Sequence, residues 1–276
     1  MTVVVVGEAL VDVVTRPDGS VVGTPGGSPA NVAVALGRLG CDVELLTALG
    51  DDPHGDLVRS HVTASGVTVN AWPLRRTAVA AATLDDTGAA TYVFDIAWDI
   101  GDLLPRAEPD WLHVGSIGTV LHPGADRVAQ LVAQHRGRCP ISFDPNCRPL
   151  LTPEPDLGAV EAIVAQCDVV KLSDEDAEFL LPGVPLEEVL RRWRGLGPRL
   201  VVVTRGADGA LALADELVEV PVPDGPPIVD TVGAGDTFMA GLIATRGESL
   251  ELAAAAARVT VSRVGADPPW RDELPT

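Results

Sequence analysis

Short apolar runs that alternate with helical stretches constrain the fold of this chain most strongly. Four consecutive valines, Val3 to Val6, predict a buried strand. Further strand-like runs lie near residues 111–114, 140–143, 168–172 and 200–204, and helical stretches separate them. This alternation is typical of repeated βαβ units. We therefore expect an α/β fold with a doubly wound, mostly parallel sheet and helices on both faces.

Three helical stretches and one antiparallel pair complete the predicted core. Helical spacing covers residues 31–39, 237–245 and 250–264, and short runs at 210–213 and 217–220 predict antiparallel strands. A chain of 276 residues lies within the range of one large α/β unit with a small appendage. We therefore expect a single domain.

Two inserts interrupt this α/β pattern. The first, at about residues 12–24, contains two short β-like runs around a Pro-Asp-Gly turn. In the second, at about residues 72–99, the runs 79–84 and 90–96 flank the turn residues 85–88. Two hairpins of this kind could pair as one small sheet. Such a sheet would act as a lid that excludes water from a pocket.

Charge and cysteine content exclude several classes of function. The 20 basic and 39 acidic residues give a net charge of −19, which disfavours nucleic acid and anionic membranes as partners. The four cysteines lack the spacing of a zinc site, and the N-terminal apolar run is too short for a signal sequence or a membrane span. We therefore expect a soluble, cytoplasmic protein with reduced thiols. The single lysine, Lys171, is attributed to the base composition of the genome.

A glycine-rich turn that runs directly into an apolar helix is the most informative segment. Gly233, Ala234 and Gly235 would point backbone amides at an anion, close to the positive end of the helix dipole. Asp236 follows at the start of the helix, where an ionised carboxylate is favoured and could accept the proton of an attacking hydroxyl. The residues alone leave a second interpretation open, in which Asp236 is only a helix N-cap.

Five segments together resemble the ribokinase-like, or PfkB, family of carbohydrate kinases. Residues 230–236 resemble the DTxGAGD signature of that family, and the chain has no GxxxxGK[ST] segment of P-loop kinases. The other four segments follow the order of the family and are Gly26-Gly27-Ser28-Pro29-Ala30-Asn31, Gly50-Asp51-Asp52-Pro53-His54-Gly55, Asp144-Pro145-Asn146-Cys147-Arg148-Pro149 and Thr204-Arg205-Gly206-Ala207-Asp208-Gly209. The third of these is similar to the fructokinase-like branch.

The resemblance implies an ATP-dependent kinase that uses Mg²⁺ and phosphorylates a small, neutral sugar, with fructose as the first choice. Asp236 would be the catalytic base, and the amides of residues 233–235 would stabilise the transferred phosphoryl group. Substrate contacts would come from Asp12, Gly26, Gly27, Asn31 and Arg148. From the residues alone, Asp12 could instead be a turn residue, Asn31 a helix N-cap and Arg148 a solvated side chain.

The resemblance also places the nucleotide and the metal ions. Nucleotide contacts would come from Thr204, Gly206, Gly209, Gly265 and Ala266. Asp230 and Val232 match positions that could contribute to a site for a monovalent cation such as K⁺.

The segment after the strand at 168–172 departs from the family pattern, which often has N-x-x-E where this chain has Ser173-Asp174-Glu175-Asp176. Asp176 could hold magnesium through water. The acidic run could equally be a helix start capped by Ser173.

Several functional alternatives remain open at this level. Asp95 in the second hairpin favours a neutral sugar over 2-keto-3-deoxygluconate. A nucleoside kinase would need aromatic walls for a base, and a catalytically silent sugar or nucleotide sensor would be expected to lack Asp236. A dinucleotide-dependent dehydrogenase is disfavoured, since no glycine-rich turn follows the first strand. A homodimer could form through the lid, on a face furnished by Val79, Ala81, Val93 and Ile96.

Overall fold

The computed structural model describes residues 1–85 and 90–275, and two sheets organise this part of the chain. Nine strands form the large sheet in the order β13-β12-β11-β10-β9-β8-β1-β4-β5, and four form the small sheet in the order β3-β2-β6-β7. The strands are β1 (Thr2–Val6), β2 (Leu10–Thr15), β3 (Val21–Gly26), β4 (Asp42–Gly50), β5 (Thr68–Leu74), β6 (Ala78–Leu84), β7 (Ala90–Asp95), β8 (Trp111–Gly115), β9 (Ile141–Asp144), β10 (Val169–Ser173), β11 (Leu200–Thr204), β12 (Ala210–Leu213) and β13 (Leu217–Val220).

Helices cover both faces of the large sheet, as predicted. The helices are α1 (Ser28–Arg38), α2 (Pro53–Ala64), α3 (Gly124–His135), α4 (Leu157–Val164), α5 (Asp174–Leu180), α6 (Leu186–Leu196), α7 (Ala234–Ala244) and α8 (Leu250–Thr260). Burial on both faces of the sheet explains why the four valines of β1 are consecutive. Val3 and Val5 belong to the core on the side of α1, α2, α7 and α8. Val4 and Val6 belong to the core on the side of α3 to α6. A strand buried on both faces has no polar side to alternate with.

The predicted boundaries hold to within a few residues, with clear physical reasons for the differences. Helix α1 begins at Ser28 instead of Asn31 because Gly27 is its N-cap and Pro29 fits the first turn. Helix α7 begins at Ala234 instead of Thr237, directly after the left-handed Gly233. Helix α8 ends at Thr260 instead of residue 264. In the described part of the chain, no helix has the length and apolarity needed to cross a membrane.

The two predicted hairpins are present and pair with each other. Strand β2 pairs antiparallel with β3 and parallel with β6, and β6 pairs antiparallel with β7. The second insert is shorter than predicted, because Trp72 still belongs to β5 of the large sheet. Of its predicted turn residues, Asp86, Thr87 and Gly88 lie outside the described residues.

Strand order fixes where a ligand can bind. Strand β1 lies in the interior of the sheet, with β4 on one side and β8 on the other, and both pairings are parallel. Successive connections therefore leave β1 in opposite directions, which opens a crevice beyond the carboxyl ends of the strands. Glu8, Ser116 and Asp144 come at or directly after the ends of β1, β8 and β9. These residues meet the hairpin sheet and helices α1 and α7 at that edge.

Candidate active site

The turn before α7 has the geometry of an anion site. Gly233 is the N-cap of the helix in a left-handed conformation, with φ 76° and ψ 1°, and no side chain caps the first turn. The Ala234 amide donates to the carbonyl oxygen of Thr231 at 3.2 Å, which leaves the amides of Gly233, Gly235 and Asp236 for a ligand at the positive end of the helix dipole. The interpretation of Asp236 as an N-cap is wrong, because Gly233 occupies that position.

Asp236 lies in the first turn of α7 and is 8% exposed. The hydroxyl of Ser28 donates to its Oδ1 at 2.6 Å, and Nδ2 of Asn31 donates to its Oδ2 at 2.8 Å. Both donors come from α1, whose contact with α7 brings residues some 200 positions apart together. Asn31 was predicted to bind a sugar hydroxyl and is not a helix N-cap. Its amide orients the carboxylate of Asp236, and a contact with a sugar hydroxyl stays a prediction.

Asp12 lies beside the Gly26–Gly27 backbone, as the predicted substrate site requires. A Cβ atom on Gly26 would lie 2.2 Å from Oδ2 of Asp12, so only glycine leaves room for this carboxylate. Gly27 has φ 99°, and a Cβ there would lie 2.6 Å from the carbonyl oxygen of Glu8. Burial raises the pKa of Asp12, and the positive charge of Arg148 opposes that rise.

Arg148 contributes charge to this side of the site but is held by its own loop. Its Nη1 donates to the carbonyl oxygen and Oδ1 of Asn146 and to the carbonyl oxygen of Cys147. The guanidinium group is exposed, and its positive charge acts to lower the pKa of Asp12 and of Glu8. Asn146 has φ 37°, a strained value for a residue with a side chain. A direct contact between Arg148 and a substrate oxygen stays a prediction.

Glu8 is a site residue that the sequence motifs did not identify. Its carboxylate is 2% exposed and accepts a hydrogen bond from the Gly118 amide at 2.9 Å. Burial raises its pKa to about 7, although hydrogen bonds from its own backbone, Ser116 and Gly118 lower it. Glu8 thus joins the end of β1 to the loop after β8.

Asp176 belongs to a helix cap, which was the alternative interpretation of the acidic run. Ser173 Oγ accepts from the Asp176 amide at 3.0 Å, and Asp176 Oδ2 accepts from the Ser173 amide and hydroxyl at 2.9 and 2.7 Å. Asp176 Oδ1 accepts from the Cys147 amide at 2.7 Å. Both oxygens are therefore engaged, and Asp176 ties α5 to the loop that carries Arg148. Among the described residues, no group of three or more His, Cys, Asp or Glu side chains could hold a metal ion.

The residues predicted to bind nucleotide lie on two loops. Thr204 ends β11, and the following loop includes Gly206 and Gly209, both with positive φ. A Cβ on Gly209 would lie 2.1 Å from the carbonyl oxygen of Val220, so this loop can turn only with glycine. The turn of residues 233–236 is called the anion turn below. The second loop, Gly265 and Ala266, packs directly on it, since a Cβ on Gly233 would lie 2.6 Å from Cβ of Ala266.

Asp230 connects the anion turn to the second of these loops. Its Oδ1 accepts from the Val232 amide at 3.0 Å and its Oδ2 from the Gly265 amide at 2.9 Å. These hydrogen bonds lower the pKa of Asp230. With the carboxylate engaged, only backbone carbonyls of Asp230 and Val232 are left as ligands for a monovalent cation, and this site stays a prediction.

The attribution of Lys171 to base composition does not account for its place in the structure. Lys171 is 4% exposed in β10, and its Nζ lies 2.8 Å from Oδ2 of Asp144, the last residue of β9. Burial alone would lower the pKa of Lys171, but Asp144, Asp176 and Asp236 outweigh it and leave the pKa above its ordinary value. The signal in the sequence was a lone charge within the apolar run Val169 to Leu172.

The inference drawn from Asp95 was wrong. In the small sheet Asp12 aligns with Ala80 and Ala80 with Phe94, so these three side chains share a face. Asp95 is therefore on the opposite face, where it forms an ion pair with Arg76 at 3.3 Å. Val79, Ala81 and Val93 share the face of Asp95, while Ile96 follows the end of β7. The acid in the second hairpin carries no information about the substrate.

Comparisons with known proteins agree with this geometry along nearly the whole chain. The family model described as pfkB family carbohydrate kinase matches residues 1–273. A fructokinase of Klebsiella pneumoniae is 36% identical over 256 residues, which covers 87% of this chain and 82% of the relative.

Two solved structures represent the structural similarity. A fructokinase double mutant from Vibrio cholerae O395, bound to fructose, ADP and potassium ion, has a TM-score of 0.82 at 29% identity, with 96% of this chain and 93% of that chain covered. An aminoimidazole riboside kinase from Salmonella enterica, complexed with aminoimidazole riboside and an ATP analog, has a TM-score of 0.83 at 26% identity, with 96% and 95% covered.

Proposed function

This chain belongs to the pfkB family of carbohydrate kinases and is an ATP-dependent sugar kinase, and we propose that fructose is its acceptor and Asp236 its catalytic base. The observation that carries the proposal is the buried carboxylate of Asp236 beside an uncapped helix N-terminus. A base and an anion site side by side are what phosphoryl transfer to a hydroxyl needs.

The proposed reaction moves one proton and one phosphoryl group. The hydroxyl oxygen of the sugar bonds to the γ-phosphorus as the bond from that phosphorus to the β-bridging oxygen breaks, and ADP leaves. Asp236 accepts the hydroxyl proton, while the free amides of Gly233, Gly235 and Asp236 stabilise the charge on the phosphoryl oxygens. Ser28 and Asn31 hold the carboxylate of Asp236 in place. We assign the transfer to a primary hydroxyl.

ATP supplies the phosphoryl group, and the described residues fit its phosphates better than they fit a metal ion. The uncapped first turn of α7 suits a phosphate, and Thr204, Gly206, Gly209, Gly265 and Ala266 border the same end of the sheet. The carboxylates form no metal-binding cluster in the described ranges, and Asp176 is engaged in a helix cap. Magnesium would therefore enter on the nucleotide phosphates, with Asp176 reached only through water.

A neutral sugar is favoured by the charges on the substrate side. The carboxylate of Asp12 next to Gly26 favours hydroxyl donors and disfavours a carboxylated acceptor such as 2-keto-3-deoxygluconate. The relative from Klebsiella pneumoniae is named fructokinase, and fructose is a neutral sugar. Asp12, the Gly26–Gly27 backbone and Arg148 would contact the sugar.

A riboside is the second candidate, and an aromatic pair favours it. Tyr92 and Phe94 stack with ring centroids 6.1 Å apart and an interplanar angle of 7°. Tyr92 and Phe94 are two residues apart on β7, so both side chains lie on the face of the small sheet that carries Asp12. An aromatic base on the acceptor could pack against this pair. A solved relative of this chain is a kinase of aminoimidazole riboside.

An acceptor panel tests the proposed function. ADP release by purified protein would be measured with ATP, Mg²⁺ and K⁺ against fructose, other neutral sugars, 2-keto-3-deoxygluconate, sugar phosphates, nucleosides and aminoimidazole riboside. We expect the highest kcat/KM with fructose. A higher value for a riboside supports the second candidate, and a higher value for a carboxylated or phosphorylated sugar overturns the neutral-sugar proposal. No turnover from folded, ATP-binding protein would favour the silent sensor. Replacing K⁺ by tetramethylammonium tests the cation site at Asp230 and Val232.

We infer that the small sheet is a lid and that a second copy of the chain covers its outer surface. Val21 and Val93, on the face opposite Asp12, are 62% and 64% exposed. Light scattering across a dilution series would show a dimer if this face is covered. The four cysteines are free, in keeping with a cytoplasmic location.

A further inference from the structure

Lys171 is the single lysine of the chain, and it lies buried beneath the anion turn. A Cβ atom on Gly235 would come within 2.8 Å of the Lys171 Nζ. The ammonium group therefore reaches the backbone of the turn that precedes Asp236, and glycine at 235 is what allows this approach. Apart from the Lys171 contact, neither oxygen of Asp144 has a hydrogen-bond partner in the described part of the chain.

The charges around Lys171 are unbalanced. Asp144, Asp176 and Asp236 are 0, 6 and 8% exposed, and the field of each acts on the Lys171 ammonium. The other close basic group, His113 in β8, is kept neutral, because burial and then the charge of Lys171 lower its pKa to about 3. Burial raises the pKa of Asp144 to about 7, and Lys171 opposes that rise. Lys171 is thus the buried cation that these three carboxylates share.

An isolated buried ion pair seldom stabilises a protein compared with apolar residues of similar size. The Lys171–Asp144 pair is therefore better explained by a contribution other than stability. A positive charge held in a fixed position, in a site that excludes water, stabilises negative charge that develops during a reaction.

We propose that Lys171 is a positioning residue for phosphoryl transfer: its ammonium, fixed by Asp144, holds the Gly233–Asp236 turn and adds positive charge beneath the bound phosphoryl group. The proposal rests on the proposed kinase function. Lys171 acts through the turn and through Asp236. The Asp144 carboxylate determines where the ammonium group lies.

The rival explanation is that the pair is structural only, so that each charge neutralises the other. Removing both partners separates the two explanations. In Lys171→Met, Asp144 is left as an unpaired buried acid, and both stability and activity would fall under either explanation. In Lys171→Met combined with Asp144→Leu, apolar side chains replace both members of the buried pair, while Asp176 and Asp236 keep their own hydrogen-bond donors. Lys171→Arg keeps the positive charge but carries it on a larger, planar guanidinium group.

The experiment measures unfolding temperature, single-turnover transfer and ligand binding for wild type and the three variants. We expect the double variant to unfold close to wild type yet to transfer phosphate about 10²-fold more slowly, with the KM for the sugar changed by less than about threefold. Lys171→Arg should recover roughly a tenth of the wild-type rate or more. Transfer by the double variant within about threefold of wild type would overturn the proposal.

Binding gives a readout that does not depend on turnover. ADP with aluminium fluoride mimics the transferring phosphoryl group, and its affinity should fall about 10²-fold in Lys171→Met and in the double variant, while the affinity for ADP alone stays within about threefold. Equal affinities in wild type and double variant would contradict the role of Lys171. Wild-type protein that binds this mimic but phosphorylates no acceptor would count against the proposed function instead.

Discussion

Asp236 is held by two neutral donors, the hydroxyl of Ser28 and the amide of Asn31. No ion pair joins it to a cation in the described part of the chain, since Lys171 contacts Asp144 instead. A base in this setting is oriented without being neutralised, so it can still take up a proton from the attacking hydroxyl. The same two contacts fix the distance between α1, which follows the Gly26–Gly27 backbone and carries Asn31, and α7, which follows the anion turn.

Replacement of Asp12 tests the substrate side at a single residue. The Asp12→Asn variant should raise the KM for fructose about tenfold to a hundredfold, because a charged acceptor of sugar hydroxyls is lost. The KM for ATP should change little, since Asp12 lies in the small sheet and Thr204 ends β11 of the large sheet. Steady-state kinetics with each substrate varied in turn would measure both constants. A change confined to the KM for ATP would contradict the assignment.

Individual residues were predictable where a motif defines them and not where a distant contact does. Gly233, Gly235 and Asp236 follow one another, so their joint role could be predicted. The contact of Asn31 with Asp236 spans 205 positions, and no local pattern encodes it. Lys171 could have been identified, because a lysine within a buried strand needs a partner. Its carboxylate partner lies 27 positions away on the neighbouring strand.

At the scale of elements, strands were predicted well because burial on both faces leaves continuous apolar runs. Strands at 200–204, 210–213 and 217–220 begin and end where predicted. The hairpins were also predictable, from their turn residues. The face on which each hairpin side chain lies was not, because it depends on the register between β2, β6 and β7. A shift of one residue exchanges the faces, so the presence of Asp95 in the second hairpin could not show whether its side chain faces the substrate.

The contact between the anion turn and the Gly265 loop gives a prediction with a matched control. Gly233→Ala and Gly137→Ala both place a side chain at a φ of 76°, and Gly137 lies outside the site, between α3 and β9. Only at Gly233 would the new Cβ clash with Ala266, at 2.6 Å, whereas nothing lies within 4 Å at Gly137. Both variants should lose about 1 kcal/mol of unfolding free energy from backbone strain. Gly233→Ala should in addition lower kcat/KM for ATP by about 10²-fold or more.

Denaturant unfolding and ATP kinetics of the two glycine variants provide the measurements. Equal losses of kcat/KM in both would mean that backbone strain alone explains the effect. A loss larger in Gly137→Ala would contradict the placement of the clash at the anion turn.

At the scale of the whole molecule, the parallel sheet gathers buried polar groups at its carboxyl edge. Glu8, His113, Asp144 and Lys171 all lie on strands or strand ends of the large sheet and are at most 4% exposed. The doubly wound architecture was predictable from the alternation of apolar runs and helices. This buried polar layer was not, because it is assembled from four separate strands.

Glu8 makes the stability of the whole chain depend on pH in a predictable direction. Its pKa in the folded protein is about 7 against an ordinary value of 4.5, so the folded state binds this proton more tightly than the unfolded state. The contribution of Glu8 to stability therefore falls as pH rises from about 4.5 to about 7. Glu8→Gln, which cannot ionise, should gain roughly 3 kcal/mol relative to wild type across that interval.

Urea unfolding of both proteins at several pH values would measure this difference. His113 contributes in the opposite direction, because its lowered pKa makes stability fall as pH drops. That contribution is common to wild type and variant and cancels in their difference. A difference in unfolding free energy that is constant across the interval would contradict the assignment to Glu8.

The most direct measurement of the central claim is single-turnover transfer of phosphate from ATP to fructose by wild type and Asp236→Asn, with fructose binding measured by calorimetry on the same samples. The account predicts that the variant binds fructose with an affinity within about threefold of wild type but transfers phosphate at least about 10³-fold more slowly. Transfer by folded Asp236→Asn at a rate close to wild type would contradict the assignment of Asp236 as the base.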